Sequence, residues 1–195
     1  MSGAPVVAGL LLAAGGGRRL GGRAKALLRN GGVLFVERAA DALRAAGCAP
    51  VHVVLGAAED EVRARARLDG CALVSHPGWE SGMGSSLRAG LASLPPEVDA
   101  ALVALVDQPG IGEEAMARVR GAFVSRETLA AAVYEGRRGH PVLLGAAHFA
   151  GVAREARGDQ GARGYLRGRE IALVECGDVA TPADIDEPGD LAGLS

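Results

Sequence analysis

Residues 6–28, VVAGLLLAAGGGRRLGGRAKALL, constrain the chain more than any other stretch. Residues 6–14 are an almost unbroken apolar run of strand length, which predicts a strand covered on both faces. Residues 15–22 then hold five glycines and two arginines, and Lys25 closes the loop before apolar residues resume. A buried strand that empties into a glycine-rich loop suits phosphate. Residues without Cβ let backbone N–H groups approach anionic oxygens, and successive N–H groups form an anion nest.

The two common nucleotide fingerprints do not fit. A GxxxxGK[ST] loop started at Gly16 or Gly17 puts no lysine after its second glycine, and GxGxxG started at Gly15 meets Leu20 at the third glycine position. Lys25 is nevertheless unusual. It is the only lysine among 21 basic residues, the other 20 being arginines. A compact ammonium in a chain that otherwise uses arginine points to a site needing a point charge rather than a planar fork.

Composition narrows the field. A length of 195 residues suits one domain, residues 1–195, with a full core. The chain is 49% hydrophobic but 3% aromatic, so that core must be built of Val, Leu and Ala. A net charge of −2 argues against a general nucleic-acid or membrane surface binder. Cys48, Cys71 and Cys176 are odd in number and widely spaced, which suits small buried thiols in a reducing cytosol rather than disulfides or zinc. Residues 1–5 carry no basic signal region and the apolar run after them is too short to span a bilayer, so a cytoplasmic location is expected.

Apolar periodicity predicts helices over residues 33–46, 59–68, 112–124 and 146–156 and strands over 51–55, 72–75, 100–106, 128–134, 140–144 and 171–175. Helices alternating with short apolar strands predict a parallel α/β sheet. Another helix starts near Ser85 or Ser86, either of which is a reasonable N-cap. The run 100–106 is the most apolar strand, and Asp107 follows it directly. Ligands of open α/β sheets sit at the carboxyl ends of strands. A carboxylate there, facing a phosphate loop, suits a magnesium ion. The tail DIDEPGDL offers Asp186 as the N-cap of a last helix.

LAAGGGRRLGGRAKALL, WESGMGSSLRAGL, DQP, GHPVLL, GDQGAR and DIDEPGDL resemble, in order, motifs of the MobA-like nucleotidyltransferases. The resemblance implies a Rossmann-like, mostly parallel sheet with helices on both faces, of the nucleotide-diphospho-sugar transferase type. It implies transfer of CMP from CTP to the phosphate of molybdopterin or Mo-molybdopterin, with release of pyrophosphate, in molybdenum cofactor biosynthesis. A molybdoenzyme would then receive the product. By the same resemblance Lys25 and Arg19 are catalytic. Leu12, Ala13, Ala14, Gly15, Gly16, Gly17, Gly21, Gly82, Ser85 and Ser86 bind the nucleotide, and His140 meets the acceptor. Asp107 and Asp186 hold Mg2+, with Asp184 the alternative to Asp186. Without their ion the two carboxylates would repel each other.

The departures matter. Gly17 stands where Ser is usual, Leu20 and Gln108 where Met is usual. The spacing GGRAK matches the guanylyl branch, whereas Ala14 and the later motifs match the cytidylyl branch. A guanylyltransferase on the same acceptor, a sugar-phosphate nucleotidyltransferase and a non-catalytic cofactor-binding accessory protein remain alternatives.

Overall fold

A computed structural model describes residues 3–194. In chain order the elements are β1 (Val7–Ala13), the short β2 (Arg29–Asn30) and β3 (Val33–Leu34), α1 (Phe35–Ala45), β4 (Val51–Leu55), α2 (Glu59–Arg65), β5 (Cys71–Ser75), α3 (Met83–Ser93), β6 (Ala100–Leu105), α4 (Glu113–Gly121), β7 (Leu129–Tyr134), β8 (Arg137–Gly145), α5 (Phe149–Glu155), α6 (Arg163–Leu166), β9 (Ala172–Glu175) and α7 (Pro188–Leu191).

Seven strands form one sheet in the order β5-β4-β1-β6-β8-β7-β9. The strands β5, β4, β1 and β6 run parallel; β8 alone is antiparallel to both its neighbours, and β9 runs parallel to β7. This is the Rossmann-like, mostly parallel α/β sheet expected.

The sheet separates two cores. Leu11 and Ala13 of β1 turn to the face covered by α1 and α4, whereas Leu10 and Leu12 turn to the face covered by α3 and α5. Alternate residues of a strand point to opposite faces, so a strand between two helical layers must be apolar throughout. Aliphatic side chains buried in this way stabilise by ~1.5–3 kcal/mol each. Helix α3 approaches closely because Gly90 has no side chain: a Cβ there would lie 2.5 Å from Leu10 Cδ1.

Several expected boundaries shift. Val33 and Leu34 leave the helix predicted from residue 33 and pair with β2, so α1 starts at Phe35. Helix α3 begins at Met83 behind Gly82, and neither Ser85 nor Ser86 caps it. The β7–β8 connection is only Glu135-Gly136, both at positive φ, so β8 begins earlier than the predicted residue 140. Glu187, not Asp186, is the N-cap of α7. Cys48 and Cys176 are buried, but Cys71 lies half-buried on the edge strand β5. Among the described residues no helix is long and apolar enough to cross a membrane.

Candidate active site

The site is built where β1 and β6 end side by side. Leu12 pairs with Leu105, and the Val106 N–H donates to the Leu12 carbonyl at 3.1 Å. Beyond this point β1 runs into the glycine loop and β6 into Asp107. Neighbours of β1 and β6 diverge in sequence order on either side, which opens the crevice expected at a switch point.

The loop winds around one carbonyl. The Gly17 oxygen accepts from Leu20 N–H at 2.8 Å and Gly22 N–H at 3.1 Å, and Lys25 N–H returns to the Gly15 oxygen at 3.2 Å. Gly17 has φ 58°, and a Cβ there would lie 2.0 Å from the Arg23 carbonyl oxygen. The serine usual in the motif therefore does not fit this winding. Trp79 forms the loop's outer wall: a Cβ on Gly16 would sit 2.6 Å from its Cη2, and one on Gly56 2.5 Å from its Cγ.

Lys25 projects from the loop's far end to the two acidic motifs. Its Nζ donates to Asp107 Oδ2 and to Asp186 Oδ1, each at 2.6 Å. Burial alone would lower the pKa of the ammonium, but Asp107 and then Asp186 hold it above its ordinary value. The repulsion expected between the carboxylates is thus relieved by the chain's own cation. The tail is fastened in place by backbone: Ile185 N–H donates to the Asp107 carbonyl at 2.9 Å, and Thr181 N–H to the Gly110 carbonyl at 3.1 Å. Ile185 itself is buried. Asp190 Oδ2 accepts from the N–H groups of Asp186 and Glu187, which fixes the turn that carries Asp186.

A cavity of about 380 Å³ gathers these parts, and Leu12, Ala14, Gly15, Gly16, Gly17, Arg19, Lys25, Gly82, Ser86, Asp107 and Asp186 all line it. Ala13, Gly21 and Ser85 do not. Ala13 turns to the α1 face, Gly21 is an exposed turn residue at φ 71°, and the Ser85 hydroxyl bonds the Gly82 carbonyl and the His76 ring. The first turn of α3 opens on this cavity, where free N–H groups favour anions. Arg18, Trp79, Glu80, Met83 and Asp159 also line it; they lie inside the quoted motifs, but the sequence assigns them no role of their own. Asp159 arrives because the turn 158–160 packs on Gly82, where a Cβ would meet the Gly158 carbonyl at 2.7 Å.

A second cavity, about 600 Å³, lies on the other side of Asp107 and shares Met83 and Leu105 with the first. It holds His140, Arg137, Arg138 and Arg163. Burial, with Arg163 nearby, pushes the His140 imidazole down to about 4, so it is neutral at pH 7. Asp184 belongs to this cavity and accepts from Gln108 Nε2 at 2.8 Å. Burial raises its pKa above the usual carboxylate value. Asp186 rather than Asp184 shares a cation with Asp107.

The donors suit a hard divalent ion: two carboxylates already converge on one positive centre. Among the described residues no group of three or more His, Cys, Asp or Glu is placed to hold a metal.

Known proteins share this architecture. The pattern of the MobA-like NTP transferase domain matches residues 9–175. The nicotine blue oxidoreductase of Paenarthrobacter nicotinovorans is 41% identical over 193 residues, covering 93% of each chain. The crystal structure of the Mycobacterium tuberculosis Rv0371c homologue from Mycobacterium sp. strain JC1 superposes with a TM-score of 0.81 at 32% identity, over 96% of each chain. Rv0371c of M. tuberculosis in complex with manganese gives a TM-score of 0.77 at 26% identity, over 97% of each chain. Sequence pattern and superposition thus agree along nearly the whole length, and the chain belongs to the MobA-like NTP transferase family.

Proposed function

We propose that the protein is a divalent-metal-dependent nucleotidyltransferase that moves CMP from CTP to the terminal phosphate of a molybdopterin-type acceptor and releases pyrophosphate. The observation that carries this reading is the junction of Lys25 with Asp107 and Asp186 between the glycine-loop cavity and the arginine-lined one. One cavity offers N–H groups and Arg19 to a triphosphate. The other offers Arg137, Arg138 and Arg163 to a phosphorylated acceptor. Their shared wall is where the α-phosphorus and the attacking phosphate would meet.

A phosphate monoester is already a nucleophile, so no general base is required, and the residues act by position and charge. The loop backbone from Gly15 to Gly17 holds the triphosphate. Arg19 neutralises its outer phosphates, and Lys25 meets charge developing around the α-phosphate. Asp107 and Asp186 would hold Mg2+, with the remaining oxygens coming from phosphate or water. Bound there, such an ion would supply positive charge to the nucleotide phosphates. The manganese complex of Rv0371c supports a divalent ion. Neutral His140 lines the acceptor side and is suited to hydrogen bonding rather than to pairing with phosphate.

The test is pyrophosphate release from each NTP with Mg2+ and molybdopterin, Mo-molybdopterin or sugar phosphates. CTP is expected to give the highest kcat/KM. GTP leading would make the longer GGRAK loop the better guide to the base, and ATP or UTP leading would remove the molybdopterin reading. The 41% identical relative supports a second reading, oxidoreduction of a nicotine-blue-like acceptor. Reduction of nicotine blue by a supplied electron donor in the presence of the protein, with no pyrophosphate from any NTP, would put that reading in place of the first.

A further inference from the structure

The Lys25 ammonium occupies the point that both acidic motifs address. It takes one oxygen from Asp107 and one from Asp186 at 2.6 Å, so those oxygens are no farther apart than twice that distance. Its side chain is 14% exposed, against 21% for Asp107 and 43% for Asp186. Two carboxylates this close would repel strongly in a partly desolvated site, and a single ammonium offsets one of their two charges. A divalent ion would offset both, but it would need the same two oxygens.

We propose that Lys25 is a resident counter-ion that keeps free divalent metal out of the Asp107–Asp186 site, so that the protein takes its metal together with the nucleotide triphosphate. The inference rests on the transferase reading for the identity of the triphosphate, but the competition between ammonium and metal does not depend on it. The backbone around Lys25 permits the exchange. Its N–H is tied to the Gly15 carbonyl and its own carbonyl accepts from Leu28 N–H at 3.1 Å. The stem runs beside Gly15, where a Cβ would lie 3.9 Å from Lys25 Cδ. The main chain can therefore stay fixed while the flexible side chain swings from the carboxylates to the loop that lines the same cavity. Triphosphate charge arriving at Gly15–Gly17 draws the ammonium away, and the freed carboxylates accept the metal. Binding of either ligand then favours the other: the triphosphate draws Lys25 off the carboxylates that take the metal, and the metal on those carboxylates leaves the ammonium free for the triphosphate.

Two measurements test this. The first is Mn2+ binding to the full chain without nucleotide, read by electron paramagnetic resonance. Lys25→Met keeps much of the stem and removes the charge. It should bind Mn2+ about tenfold or more tightly than wild type, because the competing cation is gone. Adding Asp107→Asn to that variant should abolish the gain. Equal Mn2+ affinity in wild type and Lys25→Met would overturn the proposal.

The second measurement needs no variant. Lys25 is the only lysine, so [15N]lysine labelling gives one side-chain ammonium resonance. Mg2+ alone should leave it largely unmoved, whereas Mg2+ with α,β-methylene CTP should shift it. A resonance that stays in place while the analogue and metal are bound would refute the exchange. Tighter Mn2+ binding by Lys25→Met in a protein that releases no pyrophosphate from any NTP would sink the transferase reading and leave the counter-ion standing.

Discussion

Gly17 and Arg23 meet across the loop so closely that a Cβ on residue 17 would lie 2.0 Å from the Arg23 carbonyl oxygen. The positive φ of 58° at Gly17 adds backbone strain for any side chain. Gly17→Ser, although it restores the usual motif residue, should therefore unwind the loop. Expected are a loss of ~1–3 kcal/mol in stability and a rise in KM for the nucleotide. Denaturant midpoints and steady-state kinetics of the variant check this; wild-type values for both would show that the loop rewinds freely around a serine.

Lys25→Ala should lower kcat by roughly 100- to 1,000-fold, the usual loss when a donor to developing oxyanion charge is removed. Stability should change by only about 1 kcal/mol, since the ion pairs are partly exposed. Lys25→Arg should also be impaired, because a planar fork cannot occupy the point between Asp107 Oδ2 and Asp186 Oδ1 in the same way. Near wild-type turnover in both variants would exclude the catalytic role.

Trp79 is the only tryptophan and lies against Gly16 and Gly56 at the cavity wall. Ligand in the loop should change its fluorescence, giving a direct titration. Trp79→Ala should cost ~1–3 kcal/mol, less than a fully buried tryptophan because the residue is only half-buried. It should raise the nucleotide KM more than it lowers kcat. A large fall in kcat with KM unchanged would place Trp79 in the chemical step instead.

His140 gives a pH dependence whose sign follows from its burial. Its folded value lies near 4 against an ordinary 6.5, so between those values the unfolded chain binds more protons. The folded state gains from neutral His140 above about pH 6.5, and that gain fades as the pH falls through about 4. Wild type should lose about 1–3 kcal/mol more than His140→Gln over this window, discounted for partial exposure. Parallel stability–pH curves from denaturant titrations would contradict the assignment.

Local features follow from the order of residues alone. Residues 6–14 and 100–106 were legible as buried strands, realised as Val7–Ala13 and Ala100–Leu105, because a short run apolar on both faces suits a strand between two helical layers. Glycines 15–17 had to follow the first of them as a loop open to anions. Asp107 had to stand at a strand's carboxyl end. Lys25 was legible as chemistry because it breaks the chain's preference for arginine.

Which of these residues touch depends on how the strands are ordered in space. Lys25 reaches Asp107 across 82 positions and Asp186 across 161, and no periodicity encodes a contact of that span. It follows from β6 pairing beside β1 and from Ile185 tying the tail to Asp107. The same placement sends Asp184 to the second cavity, although it is only two residues from Asp186. Trp79 and Asp159 entered the site through packing on Gly16, Gly56 and Gly82, where the missing Cβ atoms leave room. Ser85 left it because its hydroxyl found partners in Gly82 and His76. Side-chain pattern sets which face of an element is buried, but the order of strands in the sheet sets which ends become neighbours, and the site is made of those ends.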